Sequence, residues 1–248
     1  MTRTLRFPTF ATAATAAALL AWARPVRAQT ADSIIALNVA ARGGLARLAA
    51  VRSERLTGRI ALANGVAGPD TVELERPLHV RTTLHLGAGT IVQASDGRTT
   101  WTVNPLAGDS VPTVMTGGAA QNVEAGADYD GPLVDYAAKG NRVTYAGRDT
   151  ADGRPAFVLD VVTAAGLHDR YFIDRRTHLQ TKWQGRRVFN GDTLVFESYF
   201  RDYRRVDGVA IAFRIDSDTR GRPGGQHIAI DRAEINVPIA PARFRFPR

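Results

Sequence analysis

The chain has 248 residues, of which 44% are apolar, so it is long enough for one large all-β domain, or two small ones, with a sizeable core. Its formal charge is +8, and it is +4 without residues 1–28, which contain four arginines and no acidic residue. The sequence has no basic run with interleaved aromatics, so nothing in it indicates a nucleic-acid partner. The lack of cysteine excludes disulfides, thiolate metal sites, thiol nucleophiles and a lipidated cysteine at a processed N-terminus.

Residues 1–28 have the layout of a secretory signal peptide. A basic MTRTLR precedes the apolar run FATAATAAALLAWA, and the small residues Val26 and Ala28 stand at the −3 and −1 positions. The run is shorter than the roughly 20 residues of a membrane span. We therefore expect cleavage after Ala28 and a single mature domain, residues 29–248, without an integral membrane segment. The predicted location is the periplasm, with secretion as the alternative.

Two helical pieces open the predicted mature chain. Asp32 or Ser33 can cap a helix through IIALNVAAR, which Gly43-Gly44 ends, and LARLAAV forms a second short piece. Residues near helical spacing predict a face that packs on something apolar. These residues are Ile34, Leu37, Ala41 and Leu45.

From Glu54 the apolar period changes to two, which is typical of β-strands. LTGRIAL, TVELER, LHVRTTLHL, GTIVQAS and RTTWTVNP alternate between turn signals such as Asn64-Gly65 and Asp96-Gly97. These short strands predict an antiparallel meander. The strand LHVRTTLHL has one clean apolar face, formed by Leu78, Val80, Thr82, Leu84 and Leu86.

The segment Leu106–Gly140 interrupts this rhythm. It is rich in glycine and proline, and LVDYAAKG within it predicts a short helix ended by Gly140. A loop-plus-helix insertion of this length is unusual in a plain meander and favours a lid or another functional element.

Strands then resume to the end of the chain, to give about eleven in all. The segment RDYRRVDGVAIAFRI predicts a hairpin about Asp207-Gly208 with a type I′ turn. After the turn one face is apolar, and it either covers an ordinary core or lines a space for an apolar ligand. Its residues are Val209, Ile211, Phe213 and Ile215.

Catalytic patterns are missing from the sequence. His79 and His85 share a strand face but lie about 20 Å apart, so they cannot share a metal. No GxSxG elbow or HExxH motif occurs, and Asp128 and Asp130 are typical turn formers. We therefore expect no enzyme, no catalytic or metal-binding residue and no cofactor.

Nearly every predicted strand carries an aromatic or a clean apolar side. One continuous sheet of about eleven strands should curl, and its concave face must then be covered. The N-terminal helix and the middle insertion are the candidates for this cover. The alternative is a two-sheet sandwich that its own side chains fill.

The whole pattern resembles the Lol-type carriers, the outer-membrane lipoprotein-sorting proteins. The resemblance lies in ALNVAARGGLARLAAVRSERLTGRI, DGPLVDYAAKGNRVTYAGRDTADGRPAFVLDVV, LHDRYFIDRRTHLQTKW, FRDYRRVDGVAIAFRI and IDRAEINVPIAPARFRFP. It implies a mainly β (α+β) fold, in which a single curled antiparallel sheet forms an unclosed barrel with helices as a lid over an apolar cavity. It also implies a carrier for the acyl chains of lipoproteins or other lipids, and membrane-bound donor or acceptor proteins as partners.

On this basis we expect a monomer with an acyl-binding cavity. A buried acyl chain gains about 0.8 kcal/mol per methylene, so release requires a compensating change such as lid opening. The alternative is an exported protein-binding or lipid-sensing module of the same fold without transport activity. The cavity candidates are Ile60, Leu62, Val80, Leu84, Ile91, Trp101, Phe157, Leu159, Phe172, Trp183, Phe196, Ile211 and Phe213, and the lid candidates are Ile34, Leu37, Leu133, Val134 and Tyr136.

Overall fold

The computed structural model describes residues 29–87, 89–189, 192–221 and 224–247. The predicted signal peptide, residues 1–28, lies outside these residues and stays a prediction. None of the helices in the described ranges is both long and apolar enough to cross a membrane. The helices are α1 (Ala31–Arg42), α2 (Leu45–Ala50) and α3 (Gly117–Ala127), and the strands are β1 (Ser53–Leu62), β2 (Ala67–Glu75), β3 (His79–Leu86), β4 (Gly89–Ser95), β5 (Thr100–Asn104), β6 (Asp109–Val114), β7 (Arg142–Ala151), β8 (Arg154–Val162), β9 (His168–Asp174), β10 (Gln180–Phe189), β11 (Asp192–Val206), β12 (Val209–Thr219) and β13 (Gly225–Ile235).

All the strands of the described residues form one antiparallel sheet. Its order is β6-β5-β4-β3-β2-β1-β13-β12-β11-β10-β9-β8-β7, so two consecutive meanders meet where β1 pairs with β13. Strands β6 and β7 lie at the two edges, and the curled sheet is therefore an unclosed barrel. The predicted fold class is confirmed, with thirteen strands in the described residues instead of about eleven.

Helix α1 ends at the predicted Gly43-Gly44, but the predicted N-cap, Asp32 or Ser33, is wrong, because the helix already begins at Ala31. Thr30 is the N-cap, and it exchanges hydrogen bonds with Ser33 in a capping box. Gly43 caps the C-terminus, where a side chain would come within 2.7 Å of the Gly208 carbonyl oxygen, so the helix can approach the β11–β12 hairpin closely.

The buried face of α1 differs from the predicted one. Ile34, Ile35 and Asn38 are buried, whereas Leu37 is 39% exposed and Leu45 is 53% exposed. Leu45 belongs to α2, beyond the break at Gly43-Gly44, so a single helical period cannot continue across both helices.

The middle insertion has a different internal structure from the predicted one. The helix is α3, Gly117–Ala127, and LVDYAAKG (133–140) is a run of turns in which Asp135 has a φ of 49°. Three glycines lower the helix propensity of α3, which explains why the sequence read as a loop. Strand β6 contains Pro112, which an edge strand tolerates because one side of it makes no ladder bonds.

The hairpin predicted at Asp207-Gly208 is confirmed. Val206 pairs with Val209 across the turn, and the two turn residues have φ angles of 49° and 83°. A turn with two positive φ angles matches the twist of the flanking strands.

The C-terminal segment after β13 packs on the face of the sheet that carries Trp101. The Trp101 indole N–H donates to the Phe244 carbonyl oxygen at 2.9 Å, and the Phe244 ring is fully buried. Arg243 pairs with Glu73 of β2 at 2.6 Å. The tail therefore covers this side of β2–β5.

We expect Phe244→Ala to lower the free energy of unfolding by about 3–5 kcal/mol, because it leaves a cavity under the tail. Phe246→Ala is the matched control: Phe246 is 36% exposed, so its loss should cost clearly less. Urea unfolding of both variants measures the difference, and equal effects would contradict the packing described for the tail.

Candidate functional site

Helix α3 lies across the curled sheet and contacts both halves of it, namely β3–β5 and β10. On one side Thr100 of β5 donates a hydrogen bond to Glu124 at 2.8 Å. On the other side Arg187 of β10 donates to Asn122 at 2.7 Å. These contacts define the inner face of the sheet, and strand alternation assigns the remaining residues to the inner or the outer face.

The floor of the inner face contains two rows of side chains across β1, β13, β12 and the strands beyond, one apolar and one with polar residues in its middle. Ile60, Ile228, Ile215 and Phe200 stand opposite one another in register. The adjacent row runs from Leu62 through Gln226, Ser217 and Ser198 to Trp183.

Three of the predicted cavity residues, Leu62, Trp183 and Phe196, line one pocket of about 450 Å³. The Trp183 ring lies over Gly185, where a Cβ would come within 2.3 Å of the ring, so glycine is required at this point. Trp183 and Phe196 are only partly buried although they face inward. The inner face is therefore not filled here by its own side chains.

A second pocket, of about 250 Å³, lies between α1, the segment that follows α3 and the sheet. Leu56, Phe200 and Ile215 contribute its apolar wall. Both pockets approach or fall in the range of small-molecule sites, roughly 300–1,000 Å³.

Leu84 and Ile91 also face inward and are only partly buried, next to the buried Val80. They pair with each other across β3 and β4. Leu84 stands opposite Asp70 of β2, so an acidic group lies within this apolar part of the inner face.

Four of the predicted cavity residues are part of the packed core. Phe157 and Leu159 pack with Ile34 of α1 and Leu133. Ile211 and Phe213 pack with Leu48 of α2 and Ile230. The apolar strand after the Asp207-Gly208 turn therefore mainly forms core beneath α2, although Ile211 and Ile215 also line the second pocket.

Trp101 and Phe172 are not brought together with the other candidates. Trp101 follows the inward-facing Thr100 and lies under the C-terminal tail on the outer face. Phe172 pairs with Val158 and packs with Ala151 and Ala156, on the face opposite to Leu159.

The lid candidates divide in the same way. Ile34 and Leu133 are buried against β7–β9, and Tyr136 packs on this cluster while its hydroxyl donates to Asp32 at 2.8 Å. Val134 is buried, whereas Leu37 is 39% exposed.

Polar side chains hold the segment 128–132 over the sheet. Arg76 forms two hydrogen bonds with Asp130, at 2.6 and 2.7 Å, which hold the pKa of Asp130 below its ordinary value. Arg42 of α1 donates to the Asp130 carbonyl oxygen at 2.7 Å, and Lys139 pairs with Asp128 at 2.5 Å. The carboxylates of Asp128 and Asp130 therefore stabilise the position of this segment.

Sequence reasoning missed an ion pair on the inner face. Arg187 and Asp169 are both buried and 2.7 Å apart, and the Arg187 guanidinium also lies 5.3 Å from the Trp183 ring centroid. Alternation along β9, which places Asp169 on the face of Tyr171 and Ile173, was the available signal. The partner of Asp169, Arg187, lies 18 positions away in the sequence, so alternation along β9 does not identify it.

Two buried carboxyls also face inward. Burial raises the pKa of Glu54 to about 7, against a smaller lowering by the charge of Arg42. Burial likewise raises the pKa of Asp70 to about 6, and Asp70 Oδ1 has no hydrogen-bond partner among the described residues. The inner face is therefore apolar with a few ionisable groups, whose charge depends on pH near neutrality.

The comparisons with known proteins identify the fold. The chain matches no family model and no curated protein sequence at a significant level. Among solved structures, a LolA superfamily protein from Nitrosomonas europaea has a TM-score of 0.60 at 14% identity, covering 88% of this chain and 98% of that one. A DUF1329 family protein from Desulfovibrio piger has a TM-score of 0.58 at 10% identity, covering 87% and 97%.

A domain assigned as an outer membrane lipoprotein-sorting protein, from Vibrio parahaemolyticus, has a TM-score of 0.57 at 10% identity and covers 86% of this chain and 97% of that one. At these identities the likeness concerns the fold alone. The protein has a LolA-like fold, and the resemblance found in the sequence is confirmed at this level.

We expect Arg187→Met to lower the free energy of unfolding by about 3–5 kcal/mol, because it leaves the Asp169 carboxylate buried without its partner. The double variant Asp169→Leu/Arg187→Met should regain most of this loss. Arg170→Met is the control: the Arg170–Asp160 pair is more than 40% exposed on both sides, so its loss should cost at most about 1 kcal/mol. If Arg187→Met lowers the free energy of unfolding no more than the control does, this account is contradicted.

We also expect Glu54→Gln to flatten the dependence of stability on pH. The folded-state pKa of Glu54 lies above its ordinary value of 4.5, so its contribution is fully present below about pH 4.5 and is lost as pH rises through about 7. The loss amounts to about 3 kcal/mol. Urea unfolding at pH 5 and pH 8 measures it.

In that experiment Asp109→Asn, which removes an exposed carboxyl, should leave the pH dependence of the original chain unchanged. If Glu54→Gln loses as much stability between the two pH values as the original chain, the account of Glu54 is wrong.

Proposed function

We propose that the protein is a carrier that binds the acyl chains of lipids or lipoproteins against the inner face of its sheet. The observation that carries the proposal is the group of inward-facing apolar side chains that remain partly exposed beneath α3, above all Trp183 and Phe196 in the pocket of about 450 Å³. Inward-facing apolar side chains that the protein's own core does not cover are the surface that an apolar ligand would bury.

The LolA-like fold supports the same function, since two of the similar structures are a LolA superfamily protein and a lipoprotein-sorting domain. Fold likeness is an argument by analogy, whereas the pocket is a specific place where an apolar ligand could bind. The proposed setting is the periplasm after removal of residues 1–28, with a monomeric carrier that collects cargo from a membrane-bound donor and delivers it to an acceptor.

The elements that cover the pocket give the carrier a means of release. Each buried methylene contributes about 0.8 kcal/mol, so a long chain would be bound too tightly for exchange without an opposing cost. Removing α3 from the sheet separates Asn122 from Arg187 and Glu124 from Thr100. The loss of these hydrogen bonds offsets part of the affinity, and closure restores them.

We expect Phe196→Glu to weaken binding of a fluorescent long-chain fatty acid at least tenfold, because it replaces an apolar wall by a charge. Val111→Glu is the matched control, since Val111 is 68% exposed on edge strand β6 and lies outside the pocket. Fluorescence titration measures binding, and thermal unfolding verifies that both variants fold. Leu84→Glu, at a second inward-facing position, serves if Phe196→Glu is unfolded.

Native mass spectrometry of the gently purified protein gives an independent test. The proposal predicts copurifying lipid. Protein without lipid, which also takes up no fatty acid in the titration, would contradict it. Recovery of one stoichiometric protein partner in place of lipid would favour the alternative of a protein-binding module.

A further inference from the structure

The outer face of β7–β10 contains a pocket of about 360 Å³ with basic walls. It lies on the opposite side of the sheet from the proposed acyl site, because its residue His168 precedes the inward-facing Asp169. Arg142, Arg170 and Arg186 contribute positive groups, His168 contributes an imidazole, and Asp160 contributes a carboxylate.

The register places Arg142, His168 and Arg186 along one line across the strands. Arg142 stands opposite Val162, Val162 opposite His168, and His168 opposite Arg186. Three strand spacings separate the outer two, so their backbones are about 14 Å apart. Two arginine side chains at this separation can reach a common ligand above Val162 and His168.

Two of the three arginines of this pocket are not neutralised. Arg170 forms an ion pair with Asp160 at 2.7 Å. By contrast, Arg142, His168 and Arg186 are exposed and have no side-chain ion pair or hydrogen bond with any of the described residues. The pocket therefore retains an excess of positive charge in one place, and a solvated surface usually intersperses both signs.

The chemistry of the walls favours a phosphate over a single carboxylate. One guanidinium already satisfies the Asp160 carboxylate, whereas two unpaired guanidinium groups and an imidazole offer donors for three or more oxygens. Thr144 and Gln184 add neutral hydrogen-bonding groups to the walls. The volume of about 360 Å³ also exceeds the space that a bare anion occupies.

We propose that this basic pocket binds a phosphate group carried by an organic molecule, either a soluble one or a lipid headgroup. The site is separate from the acyl-binding pocket, so its existence does not depend on the proposed carrier function. As a headgroup site, it would hold the outer face of the sheet against an anionic membrane.

The test uses the double variant Arg142→Gln/Arg186→Gln with two probes. Glycerol 3-phosphate, measured by calorimetric titration, is the soluble probe. Vesicles of phosphatidylcholine with and without phosphatidylglycerol, measured by cosedimentation, are the membrane probe. The matched control is Arg59→Gln/Arg98→Gln, which removes the same charge at two exposed arginines outside the pocket.

We expect the double variant to weaken binding of at least one probe tenfold or more, and the control to change it less than threefold. If the double variant no longer binds phosphatidylglycerol vesicles, and glycerol 3-phosphate displaces the original protein from them, the ligand is a lipid headgroup. Loss of glycerol 3-phosphate binding without any vesicle binding identifies a soluble ligand. The proposal is overturned if neither probe binds the original protein, or if the control loses as much binding as the double variant.

Discussion

The pairing of β1 with β13 determines the architecture of this protein. It joins two antiparallel meanders, β1–β6 and β7–β13, into one sheet whose edges are β6 and β7. A twisted sheet of this size curls, and curling gives it an inner face that a single layer cannot bury by itself. The helices and the segment 128–132 supply the missing cover, and the outer face of β2–β5 receives the C-terminal tail.

Polar contacts tie the cover to the sheet at several points, and Tyr129 also packs on the apolar core beneath α2. Asn122 and Glu124 tie α3 to opposite halves of the sheet, and Arg76 and Lys139 tie the segment after it. Hydrogen bonds exchange readily with water, so their net contribution is small compared with that of buried apolar area. In the proposed carrier this cover separates from the sheet to release the ligand, whereas α1 is fixed by Ile34 and Ile35 in the apolar core of β7–β9.

Much of the fold follows from local sequence signals. The Asp207-Gly208 turn, the end of α1 at Gly43 and the alternation of most strands were predictable because each depends on a few neighbouring residues. Helix α3 was not, since its cover role depends on contacts with β3–β5 and β10 and its own residues favour helix weakly.

The candidate site was predictable only in part. Alternation separates Trp101 from Thr100 and Phe172 from Tyr171, but it does not say which set faces inward. The ambiguity is physical, because both faces of this sheet bury apolar residues: the C-terminal tail covers Trp101, and Phe172 packs with Val158. The buried Arg187–Asp169 pair was similarly hidden, since only the pairing of β9 with β10 brings its members together.

The central claim is that the inner face beneath α3 accepts an acyl chain. Its most direct test is photo-crosslinking with a diazirine-labelled long-chain fatty acid, followed by mass-spectrometric mapping of the labelled residues. The account predicts label concentrated on inward-facing residues such as Trp183, Phe196 and Leu84. Label confined to the outer face, or no specific label, would contradict it.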